Sequence, residues 1–372
     1  MNSENLLSII EKFQIRGNVE SVEKFGSGHI HDTYRVKNGL PGGDDYILQR
    51  INTSIFKEVD MLMRNMVVVT DFLKAKLSQM PGSNPDKEVL TIIPAVDGKS
   101  YVVEADGSYW RFFLFLKDTR SYDLVETEIQ AYQGGVGYGR FYALLSDLDA
   151  SQLGEVLPGF HCIGNRHNQL QDAISKNPVD RVKDVAVELS AILSRVPAMS
   201  KIREMGLSGA LPLRTTHNDT KFNNVLLDAN DMAQCVIDLD TIMPGYVAYD
   251  FGDAIRTIVN SAEEDEKELD KIQVNMNFFE AFARGFIKAA SGNLTREEAD
   301  SLADGCLLLP YIMGMRFLTD YINGDVYYKV KFPEHNLQRA RAQIRLVEKL
   351  EEQYDSMKRI ILDAYSENLS AK

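Results

Sequence analysis

The stretch that decides the reading runs Thr216-His217-Asn218-Asp219-Thr220-Lys221-Phe222-Asn223-Asn224 and resumes at Val236-Ile237-Asp238-Leu239-Asp240. Asp219 and Asn224 stand five positions apart, and Asp238 follows nineteen after Asp219. Short apolar runs at Leu213 to His217, Asn224 to Leu227 and Gln234 to Leu239 place these groups at the ends of a small island of strands. A carboxylate on a loop can accept the proton of an attacking hydroxyl. An amide oxygen and a second carboxylate returned beside it supply hard oxygen ligands for Mg²⁺, which offsets phosphate charge. These are the parts that phosphoryl transfer requires. The plain alternative is a polar hairpin with capping Asp and Asn. The full order and spacing between apolar strands argues against it.

The same order, His-x-Asp-x₄-Asn followed by a returning Asp, is that of the kinase catalytic loop and its metal-binding acid. Upstream, the first ~115 residues read as strands around one helix. The strands are Asn18 to Phe25, Thr33 to Lys37, Tyr46 to Ile51, Thr91 to Pro94, Ser100 to Glu104 and Ser108 to Leu116, and the helix runs from Thr53 to about Ser78. After the polar Lys117 to Arg120, helical patterns take over at 124–150, 166–176, 180–196, 248–260, 264–291, 295–320 and 334–366. The expected organisation is therefore an N-terminal, nucleotide-covering lobe over 1–117 and a helical lobe over 118–372. The fold class is α+β, a protein-kinase-like two-lobed fold.

Composition sets the limits. The 372 residues exceed one typical core, and 44% hydrophobic with 26% charged residues is an ordinary globular mix. The net charge of −13 argues against nucleic acid and anionic membrane as partners. The acidic run Glu263 to Asp270 reads as a solvated helix face. The first residues lack the basic flank of a secretory signal, no long uninterrupted apolar run is present, and three scattered cysteines suit a reducing cytoplasm. No obligate protein partner is evident.

Beyond the catalytic motif, the chain resembles the aminoglycoside phosphotransferase and choline kinase superfamily, and within it the bacterial N-acetylhexosamine 1-kinases. The resemblance rests on Gly26-Ser27-Gly28-His29-Ile30, Tyr46 to Gln49, Ile51 to Phe56, Thr216 to Lys221, Ile237 to Gly245, Gly314 to Leu318 and Phe332 to Leu337. It implies an ATP- and Mg²⁺-dependent kinase that phosphorylates the C1 hydroxyl of a free sugar. Asp219 would be the base, with Asn224 and Asp238 as metal ligands and Asp240 as a second acidic ligand. Lys221 would neutralise the moving phosphoryl group, and its plain reading is a solvated loop lysine. His217 would order the loop. Arg316 and Tyr327 would face the sugar, against the plain reading of Arg316 and Asp320 as an ion pair one helical turn apart.

Gly26, Ser27 and Gly28 are expected to cover the ATP phosphates with backbone amides. The next strand departs from the usual kinase pattern. Gln49 stands where a lysine normally holds the α- and β-phosphates, a glutamine the sugar 1-kinases share. Asp250-Phe251-Gly252 lies too far from Asp219 to be the metal-binding turn and opens a helix, so Asp250 reads as a brace. Gly134 to Gly139 reads as a tightly packed helix, since no strand precedes it. His161, Cys162 and His167 lack zinc spacing, as do His29 and His31. Rival functions are a kinase for another hexose, choline, homoserine or an aminoglycoside, a non-catalytic kinase-shaped protein, and hydrolysis by a carboxylate pair.

Overall fold

A computed structural model describes residues 3–26, 30–290 and 292–370. Helix α1 (Ser3–Ile10) leads into strands β1 (Val19–Lys24), β2 (Asp32–Asn38) and β3 (Tyr46–Arg50). Helix α2 (Val59–Leu77) and the single turn α3 (Pro85–Glu88) precede β4 (Val102–Val103) and β5 (Tyr109–Leu114). The strands form one antiparallel sheet in the order β1-β2-β3-β5-β4. Period-two alternation divides its faces. Tyr34, Val36, Tyr46, Leu48, Trp110 and Phe112 pack on one face beneath Leu6, Ile9, Ile10 and Phe13. The sequence reading missed α1, a helix of only eight residues, although Leu6, Ile9 and Ile10 recur at helical spacing.

The opposite face carries Ile47, Gln49, Arg111 and Phe113 and looks toward the larger lobe. Helix α2 begins at Val59 rather than Thr53 because Asn52 closes a turn first. Its carbonyl accepts the N–H groups of Ile55 and Phe56, and its side chain accepts that of Ser54. Val59, Leu62, Met63, Met66 and Val69 of α2 share one buried cluster with Phe141, Leu145, Leu239 and Ile242. Buried Asn65 reinforces that attachment. Its Nδ2 donates to the carbonyls of Gly154 (2.7 Å) and Ile242 (2.9 Å), and its Oδ1 accepts the N–H of Gly154.

The larger lobe holds α4 (Glu128–Leu145), α5 (Ile163–Lys176), α6 (Ala186–Met199) and α7 (Lys201–Leu207). The β island follows as β6 (Arg214–Thr216), β7 (Val225–Leu227), β8 (Ala233–Val236) and β9 (Met243–Gly245). Helices α8 (Val247–Ile258), α9 (Met276–Ala290), α10 (Arg296–Asn323) and α11 (His335–Ser370) complete it. The glycines of α4 permit a close helix crossing. A Cβ on Gly135 or Gly139 would fall 2.2 Å from the carbonyl oxygen of Phe282 or Phe286 in α9. Helix α10 is long and apolar enough to cross a membrane by composition, yet most of its apolar window is buried against its neighbours. It starts from a capping box formed by Thr295 and Glu298.

Two expectations are corrected. Thr91 to Pro94 forms only a bridge, Ile92 opposite Phe113, rather than a strand. The acidic run Glu263 to Asp270 forms no α-helix: α9 begins at Met276, and the run is turns and bends ending in a 3₁₀ turn at Leu269–Lys271, with two of its acids held by distant side chains. Glu264 meets Arg256 at 3.0 Å, and Asp265 meets buried His335 at 2.8 Å. Paired acids within turns gain nothing from helical stacking of like charges.

Candidate active site

Two short antiparallel pairs set the loop geometry. β6 pairs with β9 and β7 with β8, so the loop leaving β6 and the turn leaving β8 emerge together. The N–H of Ile237 donates to the carbonyl of Asn224 at 2.9 Å, which brings Asp238 back beside Asn224. Asn218 and Asp238 both adopt left-handed backbone angles, φ +64° and +61°. Asn and Asp tolerate that region better than other side-chain-bearing residues.

Buried His217 orders this loop. Its Nε2 donates to the carbonyl of Ile237 at 2.8 Å while its Nδ1 accepts the N–H of Asp219 at 3.2 Å. That pattern is the neutral Nε2–H tautomer. Tyr138 and Phe141 hold the ring edge-on. From α8, Asp250 accepts the N–H groups of His217 (2.8 Å) and Asn218 (2.7 Å), and Asp253 accepts that of Thr220 (2.9 Å). Burial pushes the Asp250 carboxyl up to about 6, despite those donors. Burial acts the same way on Asp253, but the adjacent Arg256 guanidinium outweighs it and holds that group below its usual value. Asp250 is thus spent on bracing the loop.

Asp219 reaches the cleft partly exposed, with Lys221 Nζ 3.1 Å from its Oδ2. The Asp219 charge raises the Lys221 ammonium, against its own burial. Asn224 donates its Nδ2 to the carbonyl of Asp219 at 2.8 Å. The Asp238 carboxylate accepts no hydrogen bond among the described residues, and burial followed by the charges of Asp240 and Asp219 raises it. Asp240 is engaged differently. Arg111 grips both of its oxygens, Nη2 lying 2.8 Å from Oδ2, and His31 Nε2 lies 2.7 Å from the same Oδ2. Gln49 Oε1 accepts from Arg111 Nε (3.0 Å) and Nη2 (2.8 Å), and Gln49 Nε2 donates to Thr33 Oγ1. Burial raises the Asp240 carboxyl, but Arg111 and His31 overcome that and keep it ionised.

A second group of side chains lies beyond the loop. His161 Nε2 donates to the carbonyl of Asn218 at 2.9 Å, and its Nδ1 is buried without a partner among the described residues. Burial pulls the imidazole down to about 4, so it is neutral. The neighbouring Phe160 ring lies 5.3 Å from the Arg316 guanidinium, which also faces Tyr328 (5.5 Å) and Tyr327 (5.9 Å). No carboxylate pairs with Arg316 among the described residues. The alternative of an Arg316–Asp320 ion pair is therefore not what forms. Asp320 instead accepts the N–H groups of Val326 (3.0 Å), Tyr327 (2.8 Å) and Tyr328 (2.9 Å) and the amide of Asn336 (2.9 Å). Arg166 lies close to Arg316; burial, then that like charge, lowers it to about 10.

Residues 21–286, more than half of the sequence, match the family model described as the phosphotransferase enzyme family. The chain belongs to that family. Solved structures agree on the fold of this phosphotransferase across nearly its whole length. A microcompartment-associated aminopropanol kinase superposes with a TM-score of 0.63 at 17% identity, covering 96% of this chain and 99% of its own. An amicoumacin kinase in complex with AMP-PNP, Ca²⁺ and Ami gives 0.60 at 14% identity, with 93% of each chain covered. Choline kinase from Cryptosporidium parvum Iowa II gives 0.57 at 13% identity, covering 99% and 100%. The two-lobed, protein-kinase-like α+β fold expected from the sequence is the fold of this phosphotransferase.

A hard cation fits the turn. Asn224 Oδ1 and the Asp238 carboxylate are oxygens that receive no hydrogen bond among the described residues, and Mg²⁺ takes one or two such ligands plus phosphate oxygens and water. In this phosphotransferase the metal would neutralise phosphate charge when bound. Of the glycine loop, Gly26 is described, with φ +80° and open space where a Cβ would be, whereas Ser27 and Gly28 lie outside the described residues. Sequence reading did not single out Arg111, Arg166, Asp320, or His31 and His161 as site residues. For Arg111 a signal existed, since a lone charge in the apolar run Tyr109 to Leu114 demands a buried counter-ion.

Proposed function

We propose that this phosphotransferase moves the γ-phosphoryl group of Mg·ATP to the C1 hydroxyl of an N-acetylhexosamine, GlcNAc or GalNAc, giving the sugar 1-phosphate and ADP. Asp219 accepts the proton of the anomeric hydroxyl, and Lys221 beside it offsets charge on the transferring group. Asn224 and Asp238 hold Mg²⁺. Asp240, paired with Arg111 and His31, supports the metal turn from the side and offers Oδ1 as a second acidic ligand. Gly26, Ser27 and Gly28 cover the phosphates, with Gln49 behind them. Arg316 and Tyr327 grip the sugar.

The observation that carries the acceptor assignment is the Arg316 pocket. A guanidinium with no carboxylate partner among the described residues, flanked by Phe160 and two tyrosines and accompanied by Arg166, repels ammonium groups and offers hydrogen-bond donors to hydroxyl and acetamide oxygens. Aminopropanol and choline, the acceptors of two similar structures, carry a cation that such a pocket disfavours. The sequence runs shared with N-acetylhexosamine 1-kinases, notably Gly314 to Leu318, support the same reading.

The test is ADP release with GlcNAc, GalNAc, glucose, choline, homoserine and kanamycin, followed by phosphorus–proton NMR of the product. Coupling of phosphorus to the anomeric proton is expected. Coupling to the C6 protons refutes the 1-kinase reading, and turnover on choline or homoserine alone moves the acceptor to another alcohol. Arg316→Ala should raise the KM for sugar well beyond any change in the KM for ATP.

A further inference from the structure

The strand position that normally supplies a phosphate-binding lysine carries Gln49, and Arg111 stands directly opposite it in the antiparallel register of β3 and β5. Thr33, Gln49 and Arg111 form a row across three adjacent strands, linked side chain to side chain. The row lies on the sheet face that looks into the cleft and ends at Asp240, two residues beyond Asp238.

We propose that Arg111 is the cation that binds the nucleotide's phosphates, supplied from β5 in place of a lysine on β3, and that Asp240 and Gln49 hold it in position. This rests on the ATP-dependent reading above. Neighbouring strands lie about 4.8 Å apart, and an arginine reaching sideways across that gap brings its charge over the tip of a residue on β3. Burying a guanidinium to 2% exposure is costly unless it is paired and hydrogen-bonded. Here the counter-charge comes from the metal-binding turn itself, so the cation is anchored beside the ion that would bridge the phosphates. In protein kinases a lysine is held the same way, by a glutamate. The bonding of Arg111 is also incomplete. Nε, Nη2 and one hydrogen of Nη1 are taken by Gln49 and Asp240, while the second Nη1 hydrogen has no acceptor among the described residues. A buried donor left over beside the Asp238 turn suits a phosphate oxygen.

Calorimetric binding separates a phosphate contact from a purely structural ion pair, because ADP and adenosine differ only in the phosphates. Arg111→Gln should weaken Mg·ADP binding by about 10–100-fold, the worth of a hydrogen bond to a charged group, and leave adenosine within about twofold. Adding Gln49→Lys to Arg111→Gln returns a cation to β3 and should restore ADP affinity to within about threefold of wild type. Equal losses for ADP and adenosine, or unchanged ADP affinity in Arg111→Gln, would overturn the assignment while leaving the kinase reading intact. Wild-type protein that binds no ADP would overturn both. If the single variant does not fold, Arg111→Lys decides: it keeps a charge beside Asp240 but lacks the leftover Nη1 donor, so ADP should weaken about tenfold with adenosine unchanged, and unchanged ADP affinity counts against Arg111.

Discussion

Asp320→Ala tests whether the acceptor pocket is built by the loop that follows α10. Asp320 is 4% exposed and accepts four hydrogen bonds, three from consecutive backbone N–H groups at Val326, Tyr327 and Tyr328 and one from Asn336. A bond to a charged acceptor contributes about 1.5–3 kcal/mol. Val326 and Tyr327 are exposed, so their freed N–H groups find water and the loss falls at the low end. Four bonds at that low end are about 6 kcal/mol gross, and with water replacing roughly two-thirds of it a net loss of about 2 kcal/mol of loop anchoring is the expectation. Each 1.4 kcal/mol is a factor of ten in population, so about thirtyfold less loop would be in the competent position. The KM for the sugar should rise by about that factor, with the KM for ATP changed by less than about threefold, because Asp219 and Asp238 are held by other elements. Steady-state kinetics with each substrate varied in turn measures both. An unchanged sugar KM in a folded Asp320→Ala protein would show that Tyr327 and Tyr328 do not form the acceptor site.

Asp219→Asn should keep the fold and Mg·ATP affinity and lower kcat by about 10²–10⁴, the usual worth of a placed general base; near-normal turnover removes Asp219 from that role. Asp238→Ala should abolish turnover and weaken Mg·ATP binding, whereas Asp250→Ala should chiefly lose stability by orphaning the N–H groups of His217 and Asn218; calorimetry showing the reverse would reassign the metal ligand. Because Asp250 titrates at about 6 when folded, above ~3.9 for an unfolded Asp, its contribution is full below pH ~4 and is lost as pH rises through about 6. Urea midpoints should therefore fall between pH 4.5 and 7 more steeply in wild type than in Asp250→Asn, and equal slopes would refute the raised value. Gly139→Ala places a methyl 2.2 Å from the Phe286 carbonyl and should cost about 2 kcal/mol or more in thermal unfolding, while a stabilised variant would mean α4 and α9 part easily.

The convergence of Asp219, Asn224 and Asp238 was legible because polar residues at that spacing sit between strands too short and apolar to be anything else. The helical lobe was legible from periodicity, with errors at its boundaries. Helix α2 opened six residues after Thr53 because Asn52 consumed the first turn, and 263–270 formed no α-helix because the side chains that hold Glu264 and Asp265, Arg256 and His335, lie outside the run itself. Contacts across long separations were not legible. Asp240 reads as a second acidic ligand by its position in the motif, and its contacts with Arg111 and His31, more than a hundred residues upstream, had no trace in that motif. Arg316 and Asp320 illustrate the same limit on a smaller scale. Helical spacing offers a salt bridge, but three backbone N–H groups from the next loop satisfy Asp320 better than one guanidinium.

The attachment of α2 has a regulatory consequence. In many protein kinases the helix following the third strand swings outward to switch activity off, and phosphorylation elsewhere pulls it back. Here that helix shares the buried cluster of the larger lobe, and Asn65 fastens it to Gly154 and to Ile242, two residues past Asp240. An outward swing would tear apolar side chains from that cluster and strand a buried amide. The off position is thus closed to this enzyme by packing alone. The sheet is tied in as well, since Ile51 and Phe113 belong to that same cluster and Arg111 of β5 grips Asp240. Output would then follow the supply of acceptor and nucleotide.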